Sequence, residues 1–183
     1  MQHATLQQLE AGLPHVLASP TGQGRLLWIV RRIGTGEREV LHEGELSLVD
    51  GLVGDNWKAR GSSRTADGSA HPELQLTLMN ARVSALVAGT QDCWALAGDQ
   101  LYVDLNLSQE QLPAGSRLTI GSAAIEITPY PHTGCKKFTS RYGTDATTFV
   151  NSEQGRALRL RGVNARVVRP GKIRVGDAVA REP

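Results

Sequence analysis

RLTIGSAAIEITPYPHTGCKKF, residues 117–138, holds both the fold signal and the chemistry of this chain. RLTIG and SAAIEIT (117–128) predict a β-hairpin or one long bent strand, with Gly121 at the bend. The continuation, PYPHTGCKKF (129–138), replaces that pattern with two prolines, a glycine and a cysteine beside two lysines. Short β-type runs lie on both sides. Upstream stand RLLWIVRRI (25–33), VLHEGELSLV (40–49, one or two short strands), LQLTLM (74–79) and QLYVDLNL (100–107). Downstream stand ARVV (165–168) and IRVGDAV (173–179), joined by a turn at Pro170–Gly171. Many short strands, frequent Gly turns and few helices predict a mainly β fold, a strongly curved, barrel-like mixed sheet with a few short peripheral helices.

The helices are few. Leu6, Leu9 and Leu13 share one face of a helix read over residues 1–18, which Gly12 and Pro14 are expected to end. NARVSALVAG (80–89) reads as a helix capped by Asn80 and stopped by Gly89. SEQGRALRL (152–160) reads as a helix with Ser152 as its cap and Gly162 just beyond, and Ser108 with Gln111 resembles a capping box. ARGSSRTADGSAHP (59–72) is polar and aperiodic, a long loop. Residues 1–24 are read as a helical lead-in and 25–183 as a single β-barrel domain.

Composition narrows the function classes. The 183 residues carry a net charge of +2, with 40% hydrophobic and 21% charged residues, ordinary for a globular protein. No run approaches the roughly 18–20 apolar residues of a membrane span, and the N-terminus lacks the basic start and apolar run of a secretory leader. Two cysteines are not a disulfide framework, so a reduced, cytoplasmic protein is expected. Aromatics at 4% are few for a protein that stacks bases, and nucleic acid is not an expected partner. The charge is uneven: residues 136–174 hold ten Lys or Arg against two acids, Asp145 and Glu153. Such a segment is either a solvated basic face or a holder of anions.

Cys135 is the first chemical candidate. Its neighbours Lys136 and Lys137 favour the reactive thiolate, His132 lies three residues before it, and Gly134 lets backbone approach a ligand. Cys93, in QDCWALAG, reads as a packing residue. His132 and Cys135 have plausible metal-ligand spacing, but a closed zinc site needs four ligands and no second pair is nearby. Neither a P-loop nor a G-x-S-x-G elbow is present.

GLVGDNW (51–57), LQLTLMN (74–80), GDQLYVDLNLS (98–108), LTIGSAAIEIT (118–128), PHTGCKKF (131–138) and RGVNARVVRPGKIRVGDAV (161–179) occur in an order that resembles the MOSC domain, named for the C-terminal domain of molybdenum cofactor sulfurase. The resemblance spans roughly residues 40–180 and implies a β-rich, strongly curved sheet. It also implies that Cys135 carries sulfur as a persulfide or ligates molybdenum. The molybdenum cofactor is the implied cofactor, with His132, Lys136, Lys137, Arg141, Arg159, Arg161 and Asn106 as its candidate binding residues; Arg166 is a further candidate cation. Some members are fused to a pyridoxal-phosphate domain for which this chain has no room, so pyridoxal phosphate is not expected here. Many members place Pro directly before the cysteine, where this chain has Gly134, and larger members add an N-terminal β domain that this chain lacks.

Three readings follow. In the first, Cys135 is a sulfur carrier or sulfurtransferase loaded by a cysteine desulfurase or another sulfur donor. In the second, the protein is a molybdenum-cofactor reductase or carrier with Cys135 as the metal ligand. In the third, it is a non-catalytic barrel that binds an anionic partner or small molecule through the basic segment. Whether the protein is an enzyme stays open among them.

Overall fold

The computed structural model describes residues 3–183; Met1 and Gln2, part of the predicted 1–18 helix, lie outside them. Along the chain come α1 (Leu6–Leu17), β1 (Gln23–Arg32), β2 (Arg38–Leu41), β3 (Glu43–Ser47), β4 (Gly51–Leu52) and α2 (Trp57–Arg60). After a loop and a 3-10 turn (Pro72–Leu74) follow β5 (Leu76–Asn80), α3 (Ala81–Ala88), a 3-10 segment (Gln91–Ala97) and β6 (Leu101–Asp104). The chain continues through β7 (Arg117–Ile120), β8 (Ala123–Ile127), α4 (Lys136–Asn151), α5 (Glu153–Ala157), β9 (Val163–Arg169), β10 (Gly171–Arg174) and β11 (Ala178–Arg181).

β1 closes the sheet on itself. It pairs with β11 through Gln23–Arg25, with β6 through Arg25–Ile29 and with β2 through Ile29–Arg32. The order β11-β7-β8-β9-β5-β6-β1 thus returns to β11, a seven-stranded barrel with β2 hanging on as an edge. Among the described residues only β5 and β6 pair in parallel, and α3 makes the crossover that a parallel pair requires. β10, β3 and β4 form a small separate sheet.

Two cores follow from strand alternation. Inside the barrel lie Leu26, Ile29, Leu78, Leu101, Val103, Ile125 and Ile127. The opposite faces of the same strands carry Val30, Met79 and Tyr102 into a second core under the helices, with Leu9, Val83, Phe138, Tyr142 and Phe149. β5 and β6 are therefore buried on both faces, which is why they read as nearly continuous apolar runs.

Several local expectations need correction. Gly12 and Pro14 do not end α1; the helix passes through Pro14, and Ala18 N–H donates to the Pro14 carbonyl at 3.1 Å. IRVGDAV is not one strand: Gly176 (φ 98°) breaks it, sending β10 and β11 to different sheets. Ser108 Oγ accepts from Gln111 N–H at 3.3 Å, but around a turn rather than a helix. Ser152 does cap a helix, accepting from Gly155 N–H at 2.9 Å, yet that helix ends at Ala157. The main helix of the region is α4, directly after the cysteine, a helix absent from the expectations above. Gly143 interrupts it with non-helical backbone (φ 89°, ψ 169°), and its many Thr residues are poor helix formers. The buried series Phe138, Tyr142, Ala146, Phe149 and Val150 holds it in the helical core, against α1, α3 and the 3-10 segment, instead.

Candidate functional site

The segment after β8 is strapped to its surroundings before it reaches the cysteine. Thr128 Oγ1 donates to the Glu73 carbonyl at 2.8 Å, and Asn164 Nδ2 donates to the Tyr130 carbonyl at 3.1 Å. His71 Nδ1 accepts from Glu73 N–H at 3.2 Å, so its Nε2–H faces Tyr130 Oη at 2.9 Å. Gly134 is held from the far end of α4: its N–H donates to Asn151 Oδ1 at 2.8 Å, and its carbonyl accepts from Asn151 Nδ2 at 2.9 Å. A Cβ at 134 would stand 3.1 Å from Val150 Cγ2, so the glycine lets the chain lie close on α4.

Cys135 follows as the N-cap of α4, exposed, its side chain making no capping hydrogen bond. Its own carbonyl accepts from Thr139 N–H at 2.9 Å. The Pro- and Gly-rich segment thus ends in a helix start. Lys136 and Lys137, both exposed, form the first helical positions.

His132 and Arg161 meet at Asp99, whose side chain is fully buried. Arg161 Nη1 donates to Asp99 Oδ2 at 2.7 Å, its Nη2 donates to the Ala97 carbonyl at 2.8 Å, and its guanidinium lies 5.0 Å over the Phe138 ring. His132 Nδ1 stands 3.6 Å from Asp99 Oδ1, and both atoms are shut off from solvent with no other partner. Burial, reinforced by the Arg161 charge and opposed by Asp99, pushes the His132 pKa down to about 3. The imidazole is neutral at pH 7 although 17% of the side chain remains exposed.

A cluster that the sequence did not reveal surrounds the turn at 96–98. Three successive carbonyls accept from three arginines: Leu96 from Arg141, Ala97 from Arg161 and Gly98 from Arg32. Arg38 stands over Gly98, where a Cβ would lie 3.9 Å from Arg38 Nη2 and 4.0 Å from Arg141 Nη1. Arg32 is neutralised by a buried pair with Asp55, at 2.6 Å from Nη2 to Oδ1. Arg38, Arg60 and Arg141 have no carboxylate partner among the described residues. Burial lowers the pKa of Arg38, and Arg141 and Arg32 add to the effect; burial and then Arg32 do the same to Arg60. Like charges gathered at partial burial make a ready seat for an anion.

The predicted residues therefore separate. Cys135, Lys136 and Lys137 share the start of α4; His132 and Arg161 share Asp99; Arg141 joins the arginine cluster. Arg159 donates to the Leu112 carbonyl. Asn106 Oδ1 accepts from Ser108 N–H at 3.0 Å, a local Asx turn. Arg166 pairs with Glu126 at 2.7 Å. Cys93 is half-buried against the helical core, where its Sγ lies 3.5 Å from Thr90 Oγ1. Among the described residues no group of three or more His, Cys, Asp or Glu could hold a metal ion, and no helix is long and apolar enough to cross a membrane.

A closed, mixed β-barrel that presents one exposed cysteine at a helix start, after a Pro-rich strap, defines the class. The MOSC domain model matches residues 55–180, and the chain belongs to that family. No curated protein matches it. Among solved structures it is similar to the YuaD protein from Bacillus subtilis, with a TM-score of 0.59 and 16% identity over 89% of this chain and 97% of that one. It is also similar to YiiM from Escherichia coli (TM-score 0.55, 18% identity, 87% of this chain and 70% of that one). YiiM from Geobacillus stearothermophilus gives 0.53 and 12% over 87% and 73%. At these identities the likeness establishes the fold.

Proposed function

We propose that this MOSC domain is a sulfur carrier with Cys135 as the residue that takes up sulfane sulfur. The observation that carries this reading is the placement of Cys135: exposed, at the N-cap of a helix, with Lys136 and Lys137 beside it and no hydrogen bond to its sulfur. In the loading step the Cys135 thiolate attacks the terminal sulfur of a donor persulfide. The new S–S bond forms on Cys135, the donor's S–S bond breaks, and the donor leaves as a thiolate, so atoms and electrons balance. The product is a persulfide anion, which the helix N-terminus and the lysines stabilise. Asn151 keeps the backbone of Gly134 in place while the sulfur stays free.

The arginine cluster favours a second reading, a cofactor carrier or reductase. For a molybdenum cofactor the donor set fits: Cys135 offers the soft thiolate that suits such a metal, and Arg38, Arg60 and Arg141 would hold a phosphate. The group would supply two-electron redox chemistry when bound.

The test is intact mass after incubation with a cysteine desulfurase and cysteine, with and without reductant, on wild type and Cys135→Ser side by side. A reductant-sensitive gain of one sulfur in wild type alone supports the carrier reading. Equal gain in Cys135→Ser, or none in wild type, overturns it. Molybdenum content of protein made in a cofactor-competent host then decides the second reading.

A further inference from the structure

His132 has a second side. With Nδ1 turned inward to Asp99, the rest of the ring lines a cleft of about 250 Å³. Tyr130, His132 and Thr133 of the strap line it, together with Arg156 of α5 and Arg159 and Gly162 of the turn that follows. The volume is below the roughly 300–1,000 Å³ of pockets for drug-sized ligands, so the cleft suits a small one.

Its charge is unbalanced. Neither Arg156 nor Arg159 has a carboxylate partner among the described residues, although Glu153 is close in sequence to both. Arg159 is half-buried, its Nη1 donates to the Leu112 carbonyl, and burial lowers its pKa. A guanidinium has five N–H donors, and the remaining ones have no side-chain acceptor among the described residues. Arg159 is also the one non-glycine residue with positive φ (49°) among those described. A left-handed conformation is disfavoured for an arginine and free for a glycine, and such departures gather where a side chain is held for a purpose.

His132 sets what else the ligand must offer. The Asp99 carboxylate, 3.6 Å from Nδ1, favours the tautomer with the proton on Nδ1, which leaves Nε2 as the ring's acceptor on the side away from Asp99. Two cations with one acceptor call for an anion that still carries a proton.

We propose that this cleft binds a hydrogen phosphate group, with Arg156 and Arg159 on its oxygens and His132 Nε2 accepting from its P–OH. Sulfate has the same shape but no proton to give at this pH, so the site discriminates between them. The inference does not rest on the sulfur-carrier reading.

The experiment is calorimetric titration at pH 6.5 with inorganic phosphate, glycerol phosphate and sulfate, with ionic strength held constant by chloride. Wild type binds phosphate saturably and at least about tenfold tighter than sulfate. Arg159→Gly, which accepts the backbone conformation without strain, keeps its fold and loses at least about tenfold in phosphate affinity. Cys135→Ser binds like wild type, which separates this result from the fate of the sulfur reading. Tighter binding of glycerol phosphate than of phosphate identifies a monoester as the source, and the reverse identifies the free ion; either supports the site. Absence of saturable phosphate binding, equal affinity for sulfate, or unchanged binding in Arg159→Gly overturns the proposal. So does loss of binding in Arg141→Gln with none in Arg159→Gly, which would place the anion on the arginine cluster at 96–98.

Discussion

Asn151 grips Gly134 with both ends of its carboxamide, accepting from the N–H at 2.8 Å and donating to the carbonyl at 2.9 Å. The last residue of α4 thereby fixes the backbone one residue before its first turn, and Cys135 is presented from a clamped position. A proline at 134, as in the family pattern, has no N–H and could make only half of this clamp.

Asn151→Ala removes both bonds. At about 1 kcal/mol for each, the expected loss is about 2 kcal/mol, measured by urea denaturation. The same variant should change the alkylation rate at Cys135, because the sulfur's neighbours shift when the strap loosens. A loss below 0.5 kcal/mol, to order of magnitude, with an unchanged rate would mean that the clamp positions nothing.

Asp99 is the centre of the buried polar group. Asp99→Asn keeps the shape but leaves Arg161 charged, about 6% exposed and without its counter-ion. Removing one partner of a buried pair costs about 3–5 kcal/mol. The control is Glu126→Gln, whose partners Arg166 and Arg117 are 45% and 55% exposed; surface pairs contribute about 0–1 kcal/mol each. The two denaturation midpoints should differ clearly, and equal midpoints would show that Asp99 is not electrostatically committed.

The barrel was legible and the site only partly so. RLTIG and SAAIEIT form β7 and β8 with Gly121 in the turn, because alternation reports a sheet with an inner and an outer face. Asn80 caps α3 by accepting from Arg82 N–H at 2.8 Å, a signal local to three residues. α4 carries no comparable local signal, because Gly143 and the threonines weaken a helix that packing stabilises. Cys135 was visible from its neighbours, whereas its N-cap position was not. Asp99 and Arg161 are 62 residues apart, and Arg32 and Asp55 are 23 apart. Barrel closure brings such pairs together, and no local pattern records which acid will meet which arginine.

The two cysteines should react at different rates. Cys135 is exposed at a helix start; Cys93 is half-buried, packed on the helical core, with Thr90 Oγ1 at its sulfur. Alkylation with iodoacetamide followed by peptide mass analysis should find Cys135 faster by about tenfold or more, since access and local positive charge both favour it. Comparable rates would remove the distinction on which the carrier reading depends.

Acid should destabilise this fold partly through His132. Its pKa is about 3 when folded, against 6.5 for the free side chain. As pH falls through 6.5 the unfolded chain takes up a proton that the folded protein refuses until about pH 3. The contribution is therefore fully present above pH 6.5 and is lost progressively below it, at up to about 1.4 kcal/mol per pH unit within that window. Carboxylates also lose stability on acidification, so the comparison must be internal. Urea midpoints for wild type and His132→Gln, taken from pH 7 to pH 4, should show a shallower decline in the variant, which has no proton to take up. The His132 ring signals in NMR should also hold their neutral positions down to about pH 4. Parallel declines in the two proteins, or a His132 ring that titrates at the free side chain's 6.5, would show that the imidazole is not buried against Asp99 and Arg161 in solution.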